Sequence, residues 1–427
     1  MANAPSDPPA SAHDPYAAVR IPDFRRFVLG RAVVNVGSQM QSIAVGWELY
    51  ERTGSALALG YVGLVQVLPV IALALPAGQL ADRFNRKRIV QLAMLLMIAC
   101  SLTLAALSFL NGPINGMYVA LFGVGLARAI AGPAGSSLLP QIVPLRVFAN
   151  ATTWASSVSQ IASVTGPALG GGIIALTHHA GPVYLLDAFC SLVFFSVLFS
   201  IRIRQAAHPR EVMTLKSLGA GLEFVWKTKI VLATITMDLF AVLLGGAVML
   251  LPVFAKDILH VGPEGYGLLR AAPSVGALVM AICLAYLPPM RRAGLTLLWA
   301  VAGFGAATIV FGLSTSFWLS LAMLFLTGAF DNISVVVRNT LVQVLTPDRM
   351  RGRVSAVNNV FIGASNELGG FESGATAAWW GPIASVVIGG LGTIAVVIGI
   401  AVIWPQVRRL GSLADQTPAD EQRAASA

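Results

Sequence analysis

Twelve stretches of about 20 residues, nearly free of charge, recur between residues 27 and 404 of this 427-residue chain. Each matches the roughly 30 Å hydrocarbon thickness of a bilayer at about 1.5 Å rise per helical residue. Inside lipid the backbone must satisfy its own hydrogen bonds, which a lone apolar segment does as a helix. The stretches fall near 27–50, 57–80, 89–110, 115–138, 153–177 and 182–201, then near 230–254, 265–287, 294–313, 317–340, 354–377 and 381–404. Only 11% of the residues are charged and 56% are hydrophobic. A soluble domain carries about 25% charged residues, so this much apolar surface cannot be hidden in one water-soluble core. The chain reads as an all-α polytopic membrane protein, and twelve spans place both termini on the same side.

The net charge of +9 raises the question of a nucleic-acid partner. The distribution answers it. With cytoplasmic termini, 22 of the 28 Lys and Arg residues fall on the cytoplasmic side. Arg31, Arg128, Arg270 and Arg338 lie inside predicted helices, leaving Arg52 and Lys256 outside. This asymmetry is the positive-inside rule and requires no nucleic acid. Cys100, Cys190 and Cys283 each sit in an apolar run and read as small buried hydrophobes, not as a disulfide or metal set. The first 20 residues lack an apolar core, so no cleaved signal peptide is expected. That arm and the tail after about Arg409 read as disordered ends.

The two groups of spans repeat one another. Gln141-Ile142-Val143-Pro144, followed by Arg146 and Asn150, corresponds to Gln343-Val344-Leu345-Thr346, followed by Arg349 and Arg353. Gly60-Tyr61 with Pro69 corresponds to Gly265-Tyr266 with Pro273. A duplicated six-helix unit implies two bundles around a central cavity that opens to either side in turn. The expected organisation is an arm over 1–26, a first bundle over 27–202, a cytoplasmic linker over 203–228, a second bundle over 229–405 and a tail over 406–427. Within the linker, Leu215 to Trp226 suits an amphipathic surface helix.

A dense basic turn joins the second span to the third: Gly78, Asp82, Arg83, Arg86, Lys87 and Arg88. Its spacing resembles the signature of the major facilitator superfamily between helices 2 and 3. Asn85 stands where that family often has Gly, and Asn also tolerates left-handed geometry. Gly166, Pro167, Gly170 and Gly171 resemble the helix-5 motif of the superfamily's exporters. Arg128 resembles the helix-4 arginine of its drug and proton antiporters. The run from Gly132-Pro133 to Pro140-Gln141 is similar to the enterobactin-exporter and macrolide-efflux branch. The resemblance covers nearly all of residues 20–405 and implies the major facilitator fold, twelve helices in two pseudo-symmetric bundles. It further implies that Asp82 pairs or caps at the cytoplasmic helix interface in the outward-closed arrangement, and that the bend at Pro167 seals the cavity during export.

Charges inside spans are costly, at least about 2.5–3.5 kcal/mol each at the bilayer centre, and therefore mark function or pairing. Arg128 is a candidate for proton relay or substrate contact, or for a structural ion pair. Arg31, near the start of the first span, is expected to snorkel to the surface. Asp238, Asp331, Glu367 and Glu372 are candidates for proton coupling, with Asp238 foremost because it lies about nine residues into its span. Asp331 precedes Arg338 by two helical turns, so those two are also a possible ion pair. Asp187 reads as a helix-end residue or as a structural residue of the family the chain resembles. Asn35 and Gln39 share a helix face and are cavity candidates, as are Asn358 and Asn359, with interhelical hydrogen bonding as the equal alternative. His178-His179 reads as a solvated turn and not a metal site.

No Walker loop and no nucleophile–base set is found. The expected function is proton-coupled export of small amphiphilic molecules (a siderophore, macrolide or other drug) across the bacterial inner membrane, by a monomer working among membrane lipids without a cofactor. A lipid or lysolipid flippase of the same fold and a small-molecule importer are the competing readings.

Overall fold

The structure, a computed structural model, describes residues 14–201, 215–288 and 290–411. The side chains of Asp82 and Asn359, and residues 203–214 of the linker expected over 203–228, lie outside the described residues. The first half contains α1 (Pro22–Thr53), α2 (Ala56–Arg83), α3 (Arg86–Phe109), α4 (Ile114–Ser136), α5 (Phe148–Thr177) and α6 (Gly181–Ser200). A connecting helix, α7 (Leu215–Lys227), leads to α8 (Lys229–Leu244), α9 (Pro263–Tyr286), α10 (Ala293–Leu313), α11 (Phe317–Leu345), α12 (Asp348–Trp380) and α13 (Pro382–Ile403). The helical segment that opens with α8 runs on in irregular turns to Ile258.

Among the described residues, ten helical segments are long and apolar enough to cross a membrane. The two other long helices, α1 and α12, have 32 and 33 residues but are more polar. The reason in α1 is the set Asn35, Ser38, Gln39, Gln41 and Ser42, which serves cavities and a buried network.

The two halves repeat in space. In the first, α1 packs on α5 and α6, α2 on α4, and α3 on α4 and α6. In the second, α8 packs on α12 and α13, α9 on α11, and α10 on α11 and α13. The pairing scheme is the same, helix for helix. The halves meet through α2 against α12 and α5 against α9, which are themselves exchanged by the repeat. The sequence correspondence has a packing cause: a Cβ at Gly125 of α4 would lie 2.8 Å from Pro69 of α2, and Gly328 of α11 abuts Pro273 of α9 in the same way.

The apolar core is divided unevenly across the membrane. On the side away from the termini, one cluster runs through both halves, from Ile43, Leu49 and Leu104 to Phe254, Phe311 and Leu324. On the side of the termini the clusters stay within one half each, with Phe27, Met94 and Leu198 in the first and Leu297, Val337 and Ile400 in the second. The bundles are therefore welded on the far side and parted on the terminal side. Gly78, Gly352 and Gly363 have open space where a Cβ would stand. Gly78 thus makes no close helix crossing among the described residues.

Residues 15–18 and 407–411, next to the two ends expected to be disordered, are packed onto the bundles. Asn150 accepts from Ala18 N at 3.0 Å and donates to Pro15 O at 2.8 Å, while Tyr16 lies against Trp154 at 6.0 Å between rings. At the other end Val407 and Leu410 are buried, and Ala293 N donates to Gly411 O at 3.0 Å. Helix α7 forms where an amphipathic helix is expected and packs Val225 beside Val354 and Val357 of α12. On its exposed face Lys227 donates to Glu223 at 2.6 Å and holds that carboxyl below its usual range.

The basic turn is built by capping. Asn85 is extended at φ −65°, not left-handed, and its side chain accepts from Lys87 N and Arg88 N at 3.0 and 3.3 Å. It starts α3 as an N-cap. Lys87 Nζ reaches Ile201 O at 3.0 Å, placing a cation on the carbonyl end of α6.

Candidate functional site

Two glycine-lined crossings join the halves and bound the cavity on its far side. A Cβ at Gly166 would lie 2.5 Å from Gln39 Cβ, and one at Gly170 would lie 3.0 Å from Met40 Cα, so these two residues seat α5 on α1. Gly171, one position on, faces α9 instead, with Gly267 Cα 3.0 Å from its virtual Cβ. The carbonyl of Pro167 also faces Gly267. At the second crossing a Cβ on Gly374 of α12 would lie 2.6 Å from Gly60 Cα of α2. No side chain larger than hydrogen fits while the helices stay this close. Aromatic contacts complete the far-side closure: Trp47 stacks on Tyr266 at 6.0 Å, and the Tyr50 hydroxyl donates to Asp257.

Beneath this closure lies a cavity of about 140 Å³ lined from both halves, including Gln39, Gln66, Arg128, Tyr266, Arg270 and Glu367. Arg128 donates to Gln66 at 3.0 Å. Glu367 stands at the α2–α12 crossing, its backbone oxygen 2.6 Å from a virtual Cβ on Gly63. Arg128 from one half and Arg270 from the other line the same cavity as Glu367. Arg270 is a residue that sequence reasoning left without a role. The repeat contained the signal: Arg270 precedes Pro273 by three residues, as Gln66 precedes Pro69.

A second cavity of about 290 Å³ opens within the second half, lined by Arg270, Asp331, Asn366 and Glu367 and by the aromatic rings of Phe304 and Phe311. Here α8 ends at Leu244, and Gly245-Gly246 leads into a 3₁₀ turn over Ala247–Leu250. The sequence reading expected a continuous helix through 254. Gly246 is pressed against Gly369 O of α12, 2.8 Å from a virtual Cβ, and the irregular backbone faces the cavity. Non-helical backbone at this depth is tolerated where it lines a cavity.

The acidic candidates divide. Asp238 forms a buried ion pair with Arg338, the two side chains 9% and 4% exposed. The expected alternative, Asp331 with Arg338, does not form. Seven residues amount to about 10.5 Å along a helix axis, and Arg338 turns across to α8. Asp331 lines the second cavity and has no hydrogen bond or ion pair among the described residues. Glu372 sits toward the far side beside Ser373, away from the cavities described here. Asn358 is buried, Gln39 lines the central cavity, and Asn35 donates to Ser159 at 3.2 Å and lines a separate pocket in the first half. Asp187 is not at a helix end. It is fully buried and accepts from Ser101 at 2.6 Å and Gln41 at 3.0 Å, tying together α6, α3 and α1.

The geometry describes two repeated halves, a closure on one face and a charged cavity beneath it. The sequence matches the family described as transmembrane secretion effector over residues 13–424. Among similar curated proteins, the enterobactin exporter EntS of Citrobacter koseri is 26% identical over 397 residues, covering 91% of this chain and 93% of that one. The multidrug efflux pump Tap of Mycolicibacterium fortuitum is 27% identical over 390 residues, covering 88% and 93%. Among solved structures, the nucleoside transporter NupG superposes with a TM-score of 0.71 at 10% identity, covering 90% of this chain and 100% of that one. A bacterial homologue of the lysosomal transporter Spinster gives 0.70 at 14% identity, covering 93% and 99%. The chain belongs to the transmembrane secretion effector family of the major facilitator superfamily, and it is a membrane transporter rather than an enzyme.

Proposed function

We propose that the protein is a proton-coupled exporter of small amphiphilic molecules, working by alternating access in the bacterial inner membrane with both termini in the cytoplasm. One observation carries this reading. Arg128, Arg270 and Glu367, from two bundles, meet on one cavity that is sealed on the far side. The clustering of Lys and Arg on the terminal side supports a cytoplasmic assignment for that face. Cargo then enters from the cytoplasm, and separating the bundles at the two glycine crossings releases it outside. The gating turn is Gly78 to Arg88, with Asp82, Arg83, Arg86, Lys87 and Arg88 engaging when the cytoplasmic side closes. The helix-5 glycines and Pro167 form the opposite seal.

Coupling requires that protonation and cargo binding favour different states of the cavity. Glu367 is placed to do this, because its neutralisation changes the balance of two arginines drawn from opposite bundles. Enterobactin and drugs, the cargoes named for EntS and Tap, support a siderophore or a drug as the cargo of this chain. The test is uptake into inverted membrane vesicles. Uptake of an amphiphilic drug that collapses with the proton gradient is the expected result. Lipid translocation without drug uptake would identify a flippase instead.

A further inference from the structure

The first half contains a pocket that the central cavity does not account for. It encloses about 270 Å³ between α1, α3, α4 and α6. Phe27, Val34, Met94, Met97 and Phe194 give it apolar walls. Arg31 and Arg128 both line it, and among the described residues no acid does. Arg31 makes no hydrogen bond or ion pair among the described residues, and its Nη1 stands 3.9 Å from a virtual Cβ on Gly135 across the pocket. Expected to snorkel to the surface, Arg31 lines this pocket, and α1 begins at Pro22 rather than near 27. Arg31 is then nine residues inside the helix, not four.

Arg31 is half-buried against mostly apolar walls, and an anion is the group that pairs best with a guanidinium there. The corresponding region of the second half has the opposite character. There the first and fourth helices bring Asp238 and Asp331 to one small pocket, and Asp238 is already neutralised by Arg338. That pocket keeps one acid, Asp331, outside any ion pair among the described residues, where the first-half pocket presents two arginines. Arg128 also lines the central cavity, so the two spaces share a wall.

We propose that this pocket is a subsite for the acidic end of an anionic amphiphile, Arg31 and Arg128 holding a carboxylate, sulfonate, phosphate or catecholate while the methionines and phenylalanines cover its apolar body. The assignment to cargo rests on the central cavity being the transport site. Anionic lipid headgroups share this chemistry, and the experiment separates the two sources.

The full-length protein in phosphatidylcholine nanodiscs is titrated calorimetrically with naphthalene-1-sulfonate and with the neutral naphthalene-1-sulfonamide. The sulfonate is expected to bind at least about tenfold more tightly, because two charge-assisted hydrogen bonds are made. Arg31→Gln should remove that preference while leaving sulfonamide binding intact, and Arg31→Lys should retain most of it. Gly135→Leu, which fills the pocket without removing charge, should weaken both ligands. Equal affinity of the two ligands for the unaltered protein, or an Arg31→Gln variant that keeps the preference, overturns the proposal. If phosphatidylglycerol in the nanodisc abolishes sulfonate binding, the occupant is a lipid headgroup and the cargo assignment falls. Vesicle uptake tests export separately, since binding here does not depend on the direction of transport.

Discussion

Inside a membrane a charge is either compensated or available, and the intramembrane acids and arginines of the second half illustrate both. Asp238 and Arg338 compensate one another in a buried pair. Removing one partner strands the other, at a cost of about 3–5 kcal/mol for a buried pair. Asp238→Asn should therefore lower the midpoint of thermal unfolding in detergent, and the double variant Asp238→Asn with Arg338→Met should recover most of the loss. A single variant as stable as the unaltered protein would show that the pair contributes nothing to folding. Glu367 is different, since it faces two arginines across a cavity and forms no ion pair within 4 Å among the described residues. Glu367→Gln should reduce proton-driven uptake in inverted vesicles by at least about tenfold, one unit of pKa-scale coupling, and flatten its dependence on pH. If the pH profile is unchanged, the coupling role passes to Asp331, the other acid on the cavity.

At the scale of helices, the far-side seal depends on two crossings where backbone meets backbone. Gly374 approaches Gly60 across the α2–α12 contact, and Gly171 approaches Gly267 across the α5–α9 contact. Gly374→Leu cannot be accommodated with the helices this close, so it should shift the protein toward an arrangement open on the far side. Spin labels at residues 110 and 315, in the α3–α4 and α10–α11 turns of opposite bundles, should report a longer distance by several ångströms. An unchanged distance distribution would mean that the neighbouring backbone yields and that the crossing does not control the seal. The break after α8 belongs to this scale too. Gly245-Gly246 is visible in the sequence, but a Gly pair alone does not distinguish a tolerated helical glycine from an unwound turn. Gly369 O, pressed against Gly246, decides it.

For the whole molecule, the division of the apolar core predicts which face admits water. One cluster spans both halves on the far side, while the terminal side has separate clusters. Gly363 of α12 has open space around it on the parted side. A Gly363→Cys variant, in a background lacking Cys100, Cys190 and Cys283, should react with a membrane-impermeant maleimide several-fold faster in inverted than in right-side-out vesicles. Equal labelling in both would contradict a cavity reached from the terminal side alone.

The chain's own pattern of residues was enough for the architecture. Apolar length dictates helices, because lipid offers the backbone no other partner, and the Gly–Tyr–Pro repeat dictates two like halves, because each proline needs a small residue opposite it. The basic turn was legible for the same local reason, although Asn85 turned out to cap α3 rather than to adopt left-handed geometry. What no linear reading could supply is which charges face one another. Arg338 chose Asp238 over Asp331, Arg31 faced inward, and Arg270 joined Arg128 around Glu367. Those outcomes depend on helix rotation and on contacts between residues more than a hundred positions apart, and electrostatic energy in a low-dielectric interior changes steeply over such short separations.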